Sequence, residues 1–425
     1  MPVAVRSVVG ARVKVPEPDA SVVQQLGILR RHLGMDLAWL CRLDEAGSLV
    51  IQAHDGDAES FHVGPGVVVR GPHGDKERSV YWNVLSGRLP TVISDIREHP
   101  LARTLPAVTE LELGAYAGAP VHDAGPLYGM VGAVAHTPRP GLGERHAQII
   151  RLVGDLLSMT AHDLHRMWRR HNDNWRSVRR VLDAGGPRLV YQPILDLRTG
   201  RAVGVEALAR FPEPPADPQR WFERAGDVGL GVELELAAVR RALDTLPALP
   251  AGARLAINTS PTTLAQGLPE ILDAVDPSRL IVEVTEHERR IDDPAVLRAA
   301  GELRLRGARI AVDDVGAGYS GLSRLVHLQP EVIKLDRVLV QSIDTDPVRR
   351  ATAIALVYIA RELGSSIIAE GIETAGELAA VRDCGIGFGQ GHYLARPAAR
   401  LPSFAEPCPR PASTWPDHPG LTTLA

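Results

Sequence analysis

The segment that most constrains the fold spans residues 308–335, with the sequence ARIAVDDVGAGYSGLSRLVHLQPEVIKL. It predicts a buried strand, the adjacent carboxylates Asp313 and Asp314, a glycine-rich turn, a short helix and a second strand near Lys334. Two carboxylates at a strand end repel each other and lose solvation, so a divalent cation is their natural partner. The segment therefore predicts an α/β fold with a cation site where strands end.

The glycines of the turn allow a second interpretation. Gly316, Gly318 and Gly321 form a G-x-G-x-x-G run between a strand and a helix, which is the context of a dinucleotide-binding loop. Asp313 and Asp314 stand immediately before this run and would repel a pyrophosphate. We therefore favour the cation site and keep dinucleotide binding as the minor alternative.

Composition narrows the class of protein. The chain has 425 residues, enough for two or three domains, and a formal net charge of −4, which does not favour a general nucleic-acid or anionic-membrane binder. Cys41, Cys384 and Cys408 are scattered, which argues for a reducing compartment and against a structural zinc or disulfide framework. The sequence shows no secretory leader and no apolar run near ~20 residues, so we expect a soluble cytoplasmic protein.

The first half of the chain predicts a small α+β domain over residues 21–165, after a loosely ordered extension at residues 1–20. The expected elements are helices at 21–33, 80–86 and 144–164 and strands at 36–43, 49–54, 89–94, 114–121 and 129–135. A helix, mixed strands and a closing helix imply an antiparallel sheet. Cys41 is expected to be a small core residue of this domain.

A charged amphipathic segment, residues 166–187, is predicted to be a connector helix that ends at a Gly-Gly-Pro sequence. We expect Trp168, Trp175 and Val178 to pack inward, and the helix to suit a dimer stalk. Contact between its basic run and nucleic acid is the minor alternative.

From residue 188 the pattern changes to short apolar strands that alternate with helices. The predicted strands lie at 189–194, 202–209, 254–258, 280–284, 309–312, 332–335, 366–369 and 386–390. This pattern fits a (β/α)8 TIM-like barrel over residues 188–398, with a doubly wound open sheet as the alternative. The tail, residues 399–425, is rich in proline and is predicted to be disordered.

Polar residues stand at the carboxyl ends of these strands, which meet on one face of a barrel. They are Glu206, Asn258, Glu283, Asp313, Asp314, Lys334, Glu370 and Gln390. So many carboxylates at one end of the barrel cannot all stay ionised without cations. An all-oxygen donor set favours Mg²⁺ or Mn²⁺ over zinc. Two metals ~3.5–4 Å apart, with Asp313 as the bridging ligand, would polarise a phosphoryl oxygen and activate a water. Asp314 suits the second metal, and Glu370 or Lys334 suits the handling of the water.

These positions form a pattern that resembles EAL-domain cyclic di-GMP phosphodiesterases. Glu206-Ala207-Leu208, followed by Arg210, is similar to the family's signature. The similarity covers about residues 188–397 and continues through YQPI at 191, NTS at 258, EVTE at 283, DDVG at 313, KLD at 334, AEGIE at 369 and QG at 390. The resemblance implies hydrolysis of one phosphodiester bond of cyclic di-GMP, which yields linear pGpG.

The resemblance also implies roles for individual residues. The implied ligands of the first metal are Glu206, Asn258, Glu283 and Asp313, and those of the second are Asp313, Asp314 and Glu370. Lys334 would hold the attacking water, and Glu370 would be the general base. The implied substrate contacts are Arg210, Leu208, Gln390 and Asp336, with Glu286 and Glu373 as supporting residues.

Three positions depart from the family's usual pattern. Val315 replaces an aromatic residue and Gly321 adds backbone freedom in the loop after the fifth strand, while His392 stands where tyrosine is common. This loop resembles the element that couples dimerisation to metal binding. We therefore expect the degree of activation to change, and His392 to alter base contacts, with the metal ligands retained.

The first domain resembles a GAF domain, a small-molecule or light-sensing module. The most similar segment is residues 113–134, LGAYAGAPVHDAGPLYGMVGAV, which is similar to the family's paired central strands. The resemblance covers roughly residues 21–165 and implies an unknown small ligand that regulates the barrel. The middle of the domain has no cysteine for covalent attachment of a bilin.

A homodimeric enzyme regulated by its first domain is the leading hypothesis. A non-catalytic cyclic di-GMP receptor is one alternative, and a barrel phosphohydrolase with another substrate is the second. The metal positions that match the family are all retained, which favours the enzyme. The sequence has no Gly-Gly-Asp/Glu-Glu-Phe run, so synthesis of cyclic di-GMP is not expected.

Overall fold

The computed structural model describes residues 9–44, 47–69, 76–212, 217–273, 275–285, 293–316 and 325–408. The chain divides into two compact units, Met1–Arg176 and Ser177–Ala425. Each unit has its own sheet and its own hydrophobic core.

In the described part of the first unit, seven strands form one antiparallel sheet. They are β1 (Val9–Arg12), β2 (Leu37–Leu43), β3 (Leu49–Gly56), β4 (Val67–Val69), β5 (Val92–Ile93), β6 (Ala115–His122) and β7 (Leu127–Ala135). Their order across the sheet is β1-β4-β3-β2-β7-β6-β5. The predicted antiparallel sheet is confirmed. The sequence pattern does not predict β4, and β1 lies in the segment expected to be loosely ordered. Strands of three and four residues are too short to show a period.

Helices cover both faces of this sheet. They are α1 (Ala20–Leu33), α2 (Val80–Leu85), α3 (Pro106–Glu110) and α4 (Glu144–Asp183). Buried residues of α1 and of the first half of α4 pack on one face, and residues of α2 and α3 pack on the other. No proline interrupts α4, which is one continuous helix of 40 residues. The predicted boundary between a closing helix and a connector therefore lies inside a single helix.

Three of the four residues predicted to pack inward in the first half of the chain are buried. Cys41 and Trp168 are buried in the first unit, and Val178 is buried in the second. Trp175 is exposed, which contradicts its predicted inward packing.

In the described part of the second unit, eight strands form a closed barrel. They are β8 (Arg188–Asp196), β9 (Ala202–Arg210), β10 (Arg254–Thr259), β11 (Leu280–Val284), β12 (Arg309–Val315), β13 (Val332–Leu335), β14 (Ser366–Ala369) and β15 (Phe388–Gly389). Their order around the ring is β10-β11-β12-β13-β14-β15-β8-β9. The predicted barrel is confirmed, and the open sheet is excluded.

One strand corrects the predicted (β/α)8 arrangement. β8 runs antiparallel to both of its neighbours, β9 and β15, whereas the other neighbouring strands of the barrel are parallel. Only residues 197–201 separate β8 from β9, and a parallel crossover needs about a dozen residues or more. The two strands therefore form a hairpin, and the carboxyl ends of the remaining strands meet at one rim.

Helices pack around the barrel. They are α5 (Pro218–Asp227), α6 (Gly231–Leu243), α7 (Pro261–Ala265), α8 (Leu268–Leu272), α9 (Pro294–Leu305), α10 (Arg337–Val340), α11 (Pro347–Leu363) and α12 (Ala375–Asp383). Several begin with a capping side chain followed by proline, as at Asp217, Ser260, Asp293 and Asp346. Sequence periodicity misses α5, α8 and α10, which are at most 10 residues long.

The end of the described chain corrects the predicted disorder. The Cys408 N–H donates to the Gly200 carbonyl at 3.0 Å, and Leu401 and Phe404 pack against the hydrophobic core of the barrel unit. Apolar contacts therefore hold residues 399–408 on the barrel. The rest of the tail lies outside the described residues, as does most of the short helix predicted before β13. None of the helices that the structure describes is both long enough and apolar enough to cross a bilayer.

Candidate active site

An apolar layer fills the inside of the barrel, and polar side chains lie above it at the rim. This layer consists of Ile194, Ala256, Ile281, Ala311, Val332, Ile368 and Phe388. The residues that stand two positions after a member of the layer include Asn258, Glu283, Asp313, Lys334, Glu370 and Gln390. Because side chains of a strand alternate between its two faces, these polar groups point into the same mouth of the barrel.

Lys334 lies at the centre of this group and is 1% exposed. Its Nζ is 2.8 Å from Glu283 Oε2 and 2.8 Å from Glu370 Oε1. Glu206 Oε1 and Asp313 Oδ1 each lie 3.4 Å from the same nitrogen. The structure thus brings these predicted site residues, from four strands and the turn after β14, into direct contact.

Two amide side chains orient the carboxylate of Glu206. Gln390 Nε2 donates to Glu206 Oε2 at 2.7 Å and to Glu370 Oε1 at 2.9 Å. Asn258 Nδ2 donates to Glu206 Oε1 at 2.9 Å. Both oxygens of Glu206 are therefore held in one orientation.

Asp313, Asp314 and Glu370 form a second group of oxygen atoms. One carboxylate oxygen from each residue lies within 4.8 Å of the others. Asp314 adopts a φ of 55°, and its backbone N–H donates to Asp313 Oδ1 at 3.0 Å. This left-handed conformation is uncommon outside glycine, asparagine and aspartate. It turns the chain so that two consecutive aspartates contribute to the same group.

Burial and mutual repulsion oppose ionisation in this cluster. Burial, followed by repulsion from Glu206, raises the pKa of Glu283 well above its ordinary value. Burial likewise raises the pKa of Glu370, although Lys334 acts in the opposite direction. Burial also opposes the charge of Glu206, but Lys334 and the amide donors hold its pKa below the ordinary value. Burial disfavours the charged form of Lys334, yet the surrounding carboxylates raise its pKa well above the usual range, so the ammonium stays charged.

Asp314 is a further carboxylate of the site whose ionisation is disfavoured. Burial, the neighbouring Asp313 and a hydrogen bond with Asp336 raise the pKa of Asp314 to about 7. Asp336 also caps α10 by accepting the Val338 N–H. The predicted substrate contact Asp336 therefore lies beside the predicted metal ligand Asp314.

The donor set fits a hard divalent cation. Asp313, Asp314 and Glu370 offer oxygen atoms that are close together. Glu283 Oε1 and Gln390 Oε1 are buried, and neither has a hydrogen-bond partner in the part of the chain that the structure describes. Carboxylate and amide oxygens without nitrogen or sulfur ligands favour Mg²⁺ or Mn²⁺.

A cavity of about 400 Å³ adjoins the carboxylates. Leu208, Arg210 and Phe222 line it, together with Asn258, which also bonds to Glu206. The cavity thus combines an apolar wall with a guanidinium group next to the acidic cluster.

Of the other residues singled out from the sequence, those that the structure describes are not part of the cluster around Lys334. The carboxylate of Glu373 pairs with Arg337 Nη2 at 3.0 Å. Val315 is buried at the end of β12, and His392 is exposed. The predicted supporting residue Glu286 lies outside the described residues, as does the loop glycine Gly321.

Two residues near the site, Glu235 and Phe222, are not predicted from the sequence. Glu235 Oε2 accepts a hydrogen bond from the Ser260 N–H at 2.7 Å, which holds the turn after β10. Phe222 lies on α5, which the apolar period does not predict. The capping residue Asp217, followed by Pro218, is a signal that could have placed the start of this helix.

Comparison with known proteins identifies the class of this chain. The family model described as EAL domain matches residues 175–397. This match covers more than half of the chain, which therefore belongs to the EAL domain family.

Individual relatives match about half of the chain. The probable cyclic di-GMP phosphodiesterase PdeG of Escherichia coli is 33% identical over 238 residues, which are 53% of this chain and 47% of PdeG. The cyclic di-GMP phosphodiesterase RocR of Pseudomonas aeruginosa is 32% identical over 233 residues, which are 52% of this chain and 59% of RocR. The chain thus spans about half the length of the curated relatives it matches. A solved structure of the PaMucR phosphodiesterase with c-di-GMP is 30% identical, with a TM-score of 0.48, over 53% of this chain and 97% of that chain.

Proposed function

We propose that the barrel hydrolyses one phosphodiester bond of cyclic di-GMP and releases linear pGpG. The observation that carries this proposal is the buried cluster in which Lys334 Nζ lies within 3.4 Å of Glu206, Glu283, Asp313 and Glu370. Membership of the EAL domain family, with relatives such as PdeG and RocR, supports the choice of substrate and reaction.

The proposed enzyme uses two divalent cations, Mg²⁺ or Mn²⁺, in each site. When bound, they supply Lewis-acid stabilisation of the charge that develops on the phosphoryl group. The residues that would hold them are Glu206, Asn258, Glu283 and Asp313 for the first cation and Asp313, Asp314 and Glu370 for the second. Asn258 now directs its amide nitrogen at Glu206. A half-turn of the amide presents its oxygen instead.

Glu370 is the proposed general base. Burial raises the pKa of Glu370 well above its ordinary value, which makes its carboxylate a stronger base, as this role requires. Lys334 lies 2.8 Å from Glu370 Oε1 and keeps its positive charge, so it orients both the base and the attacking water. Gln390 donates to the same carboxylate oxygen and restricts its movement.

The cavity beside the cluster is the proposed substrate-binding site. Arg210 would pair its guanidinium group with a phosphate, for which two parallel N–H groups are suited. Phe222 and Leu208 provide apolar surface for part of a guanine base. Asp336 lies next to Asp314, where it would contact the substrate beside the metal ligands.

Turnover of cyclic di-GMP by the full chain tests the proposal. We expect Mn²⁺ or Mg²⁺ to support formation of pGpG, measured by anion-exchange chromatography, and EDTA to abolish it. Binding of cyclic di-GMP without turnover would establish a non-catalytic receptor. Turnover of another phosphodiester alone would establish a different hydrolase.

The first unit is the proposed sensor, a GAF-like domain that binds a small ligand and regulates hydrolysis. Its antiparallel sheet with helices on both faces supports this proposal. A ligand that binds the full chain should change the rate of pGpG formation. Binding without any change in rate would contradict the regulatory role.

The protein is also proposed to be a homodimer. Three large apolar residues are exposed on one side of α11: Val348 (71%), Ile354 (51%) and Tyr358 (65%). Such a cluster on the surface of a folded unit favours burial against another protein. A second copy of this chain can present the same side of α11 across a twofold axis.

A further inference from the structure

We infer that the first unit binds a small planar aromatic molecule between Trp39 and Tyr116, on the face of the sheet that carries α2 and α3. The inference deepens the proposed sensor role by naming the class of ligand. It does not depend on turnover at the barrel.

A cavity of about 80 Å³ separates two hydrophobic clusters on this face. One cluster contains Leu37 and Tyr116, and the other contains Leu49 and Ile51. Trp39 packs against both clusters. All five residues line the cavity. Protein interiors are close-packed, so a gap between two clusters on one face marks a place for a further apolar group.

A pair of glycines gives the cavity flat aromatic walls. Gly118 on β6 and Gly132 on β7 are partners across the sheet, and Trp39 on β2 is the next residue in the same row. A Cβ atom on Gly132 would lie 2.3 Å from Trp39 Cζ2, and one on Gly118 would lie 2.4 Å from Tyr116 Oη. Because both side chains are missing, the two rings can lie against the sheet. Such ring surfaces suit stacking with a planar ligand.

Tyr116 supplies a specific polar contact. It is 2% exposed, and its hydroxyl has no hydrogen-bond partner among the residues described here. Burial raises the pKa of this hydroxyl, so it remains a donor at neutral pH. A buried donor without a partner is destabilising, and a ligand that accepts its hydrogen bond removes this penalty.

The other lining residues restrict the ligand further. Ser79 caps α2, and the Tyr81 hydroxyl donates to a backbone carbonyl at 2.7 Å, so both already have partners. Arg78 is exposed, and the rest of the described lining is apolar. A cavity of ~150 Å³ admits benzene. The cavity beside Trp39 and Tyr116, at about 80 Å³, must therefore widen to admit even one aromatic ring. The ligand class is therefore a single aromatic ring with one hydrogen-bond acceptor, which a cyclic nucleotide does not match.

Phenol and toluene are the probes for this site, because they differ in the hydroxyl group. Binding to the full chain is measured by isothermal titration calorimetry for the wild type and for Tyr116→Phe. The matched control is Tyr128→Phe, which removes a buried hydroxyl from the opposite face of the same sheet. That hydroxyl bonds to Gln52 Oε1 at 2.5 Å.

We expect saturable binding of both probes to the wild type and to Tyr128→Phe. Tyr116→Phe should weaken phenol about tenfold and leave toluene unchanged, since only phenol accepts the hydrogen bond. Gly132→Ala should weaken both probes, because its methyl group displaces the Trp39 ring. Absence of saturable binding to the wild type, an unchanged phenol affinity in Tyr116→Phe, or tighter binding of cyclic GMP than of phenol would overturn the inference. The readout is binding, so either result leaves the proposed hydrolysis to its own test.

Discussion

The ammonium nitrogen of Lys334 lies 2.8 Å from Oε1 of Glu370, and both residues stand at the same end of two neighbouring parallel strands. Lys334 also contacts Glu206, Glu283 and Asp313. The fold itself therefore supplies a positive charge to a group of carboxylates that would otherwise repel one another.

Lys334→Met should destabilise the protein strongly when divalent cations are chelated. Removal of one partner from a buried ion pair typically costs about 3–5 kcal/mol, because the remaining charges are left without compensation. Mn²⁺ should recover more stability in the variant than in the wild type, since it replaces the lost positive charge. Urea unfolding in EDTA and in Mn²⁺ measures both effects. Equal stability of the two proteins in EDTA would contradict this account of Lys334.

Glu206→Gln and Asp313→Asn should each reduce pGpG formation by roughly a hundredfold or more. Each change removes a proposed metal ligand, and even loss of a residue that only supports a ligand can cost about 10–100-fold. The folded structure should survive, which near-UV circular dichroism checks.

The matched control for these two variants is Glu331→Gln. Its carboxylate accepts the Ile310 N–H at 2.9 Å, at the opposite end of β12 from Asp313. This control should keep activity close to that of the wild type. Full activity in Glu206→Gln or Asp313→Asn would refute their assignment as ligands.

Asp314→Asn and Asp314→Ala should separate the backbone role of Asp314 from its charge. Asparagine tolerates the φ of 55° seen here, whereas alanine in a left-handed conformation costs about 1–2 kcal/mol. Asp314→Ala should therefore unfold at lower urea concentration than Asp314→Asn. Both should lose metal-dependent turnover, because both lack the carboxylate. If the two variants are equally stable, the conformation at this position is not under strain.

Glutamate at both Val348 and Tyr358 should convert the proposed dimer into a monomer. Burial of two introduced charges at a contact between copies is unfavourable, so association should weaken. Light scattering measures the mass of each variant. Leu305→Glu is the control, because Leu305 is also exposed but lies on α9. Dissociation by the control alone, or a monomeric wild type, would count against the role of α11.

The positions at the barrel rim were predictable because two local patterns coincide. Short apolar runs mark the buried strands, and the polar residue that follows each run keeps the period of two. Ile281 and Glu283 show this on β11, as do Val332 and Lys334 on β13. Neither pattern requires knowledge of distant contacts. The closed barrel then brings these ends together.

Other features were not predictable, since they depend on partners far away in the chain. The strands β1 and β4 are too short to show a period, and their positions depend on pairing: β4 pairs with both β3 and β1. The antiparallel pairing of β8 with β15 depends on closure of the ring, which joins the first and last strands of the barrel. Residues 399–408 have no regular pattern, yet contacts with the barrel unit order them.

The amino-acid sequence by itself determined the class of fold, the strands of the barrel and the residues that reach its rim. These properties depend on the spacing of apolar and polar side chains along short segments of the chain. Only the tertiary structure decided that Lys334 sits among four carboxylates, and that Trp39 and Tyr116 lie beside a pair of glycines. Both arrangements join residues from separate strands, so their distances depend on how the whole sheet or barrel closes.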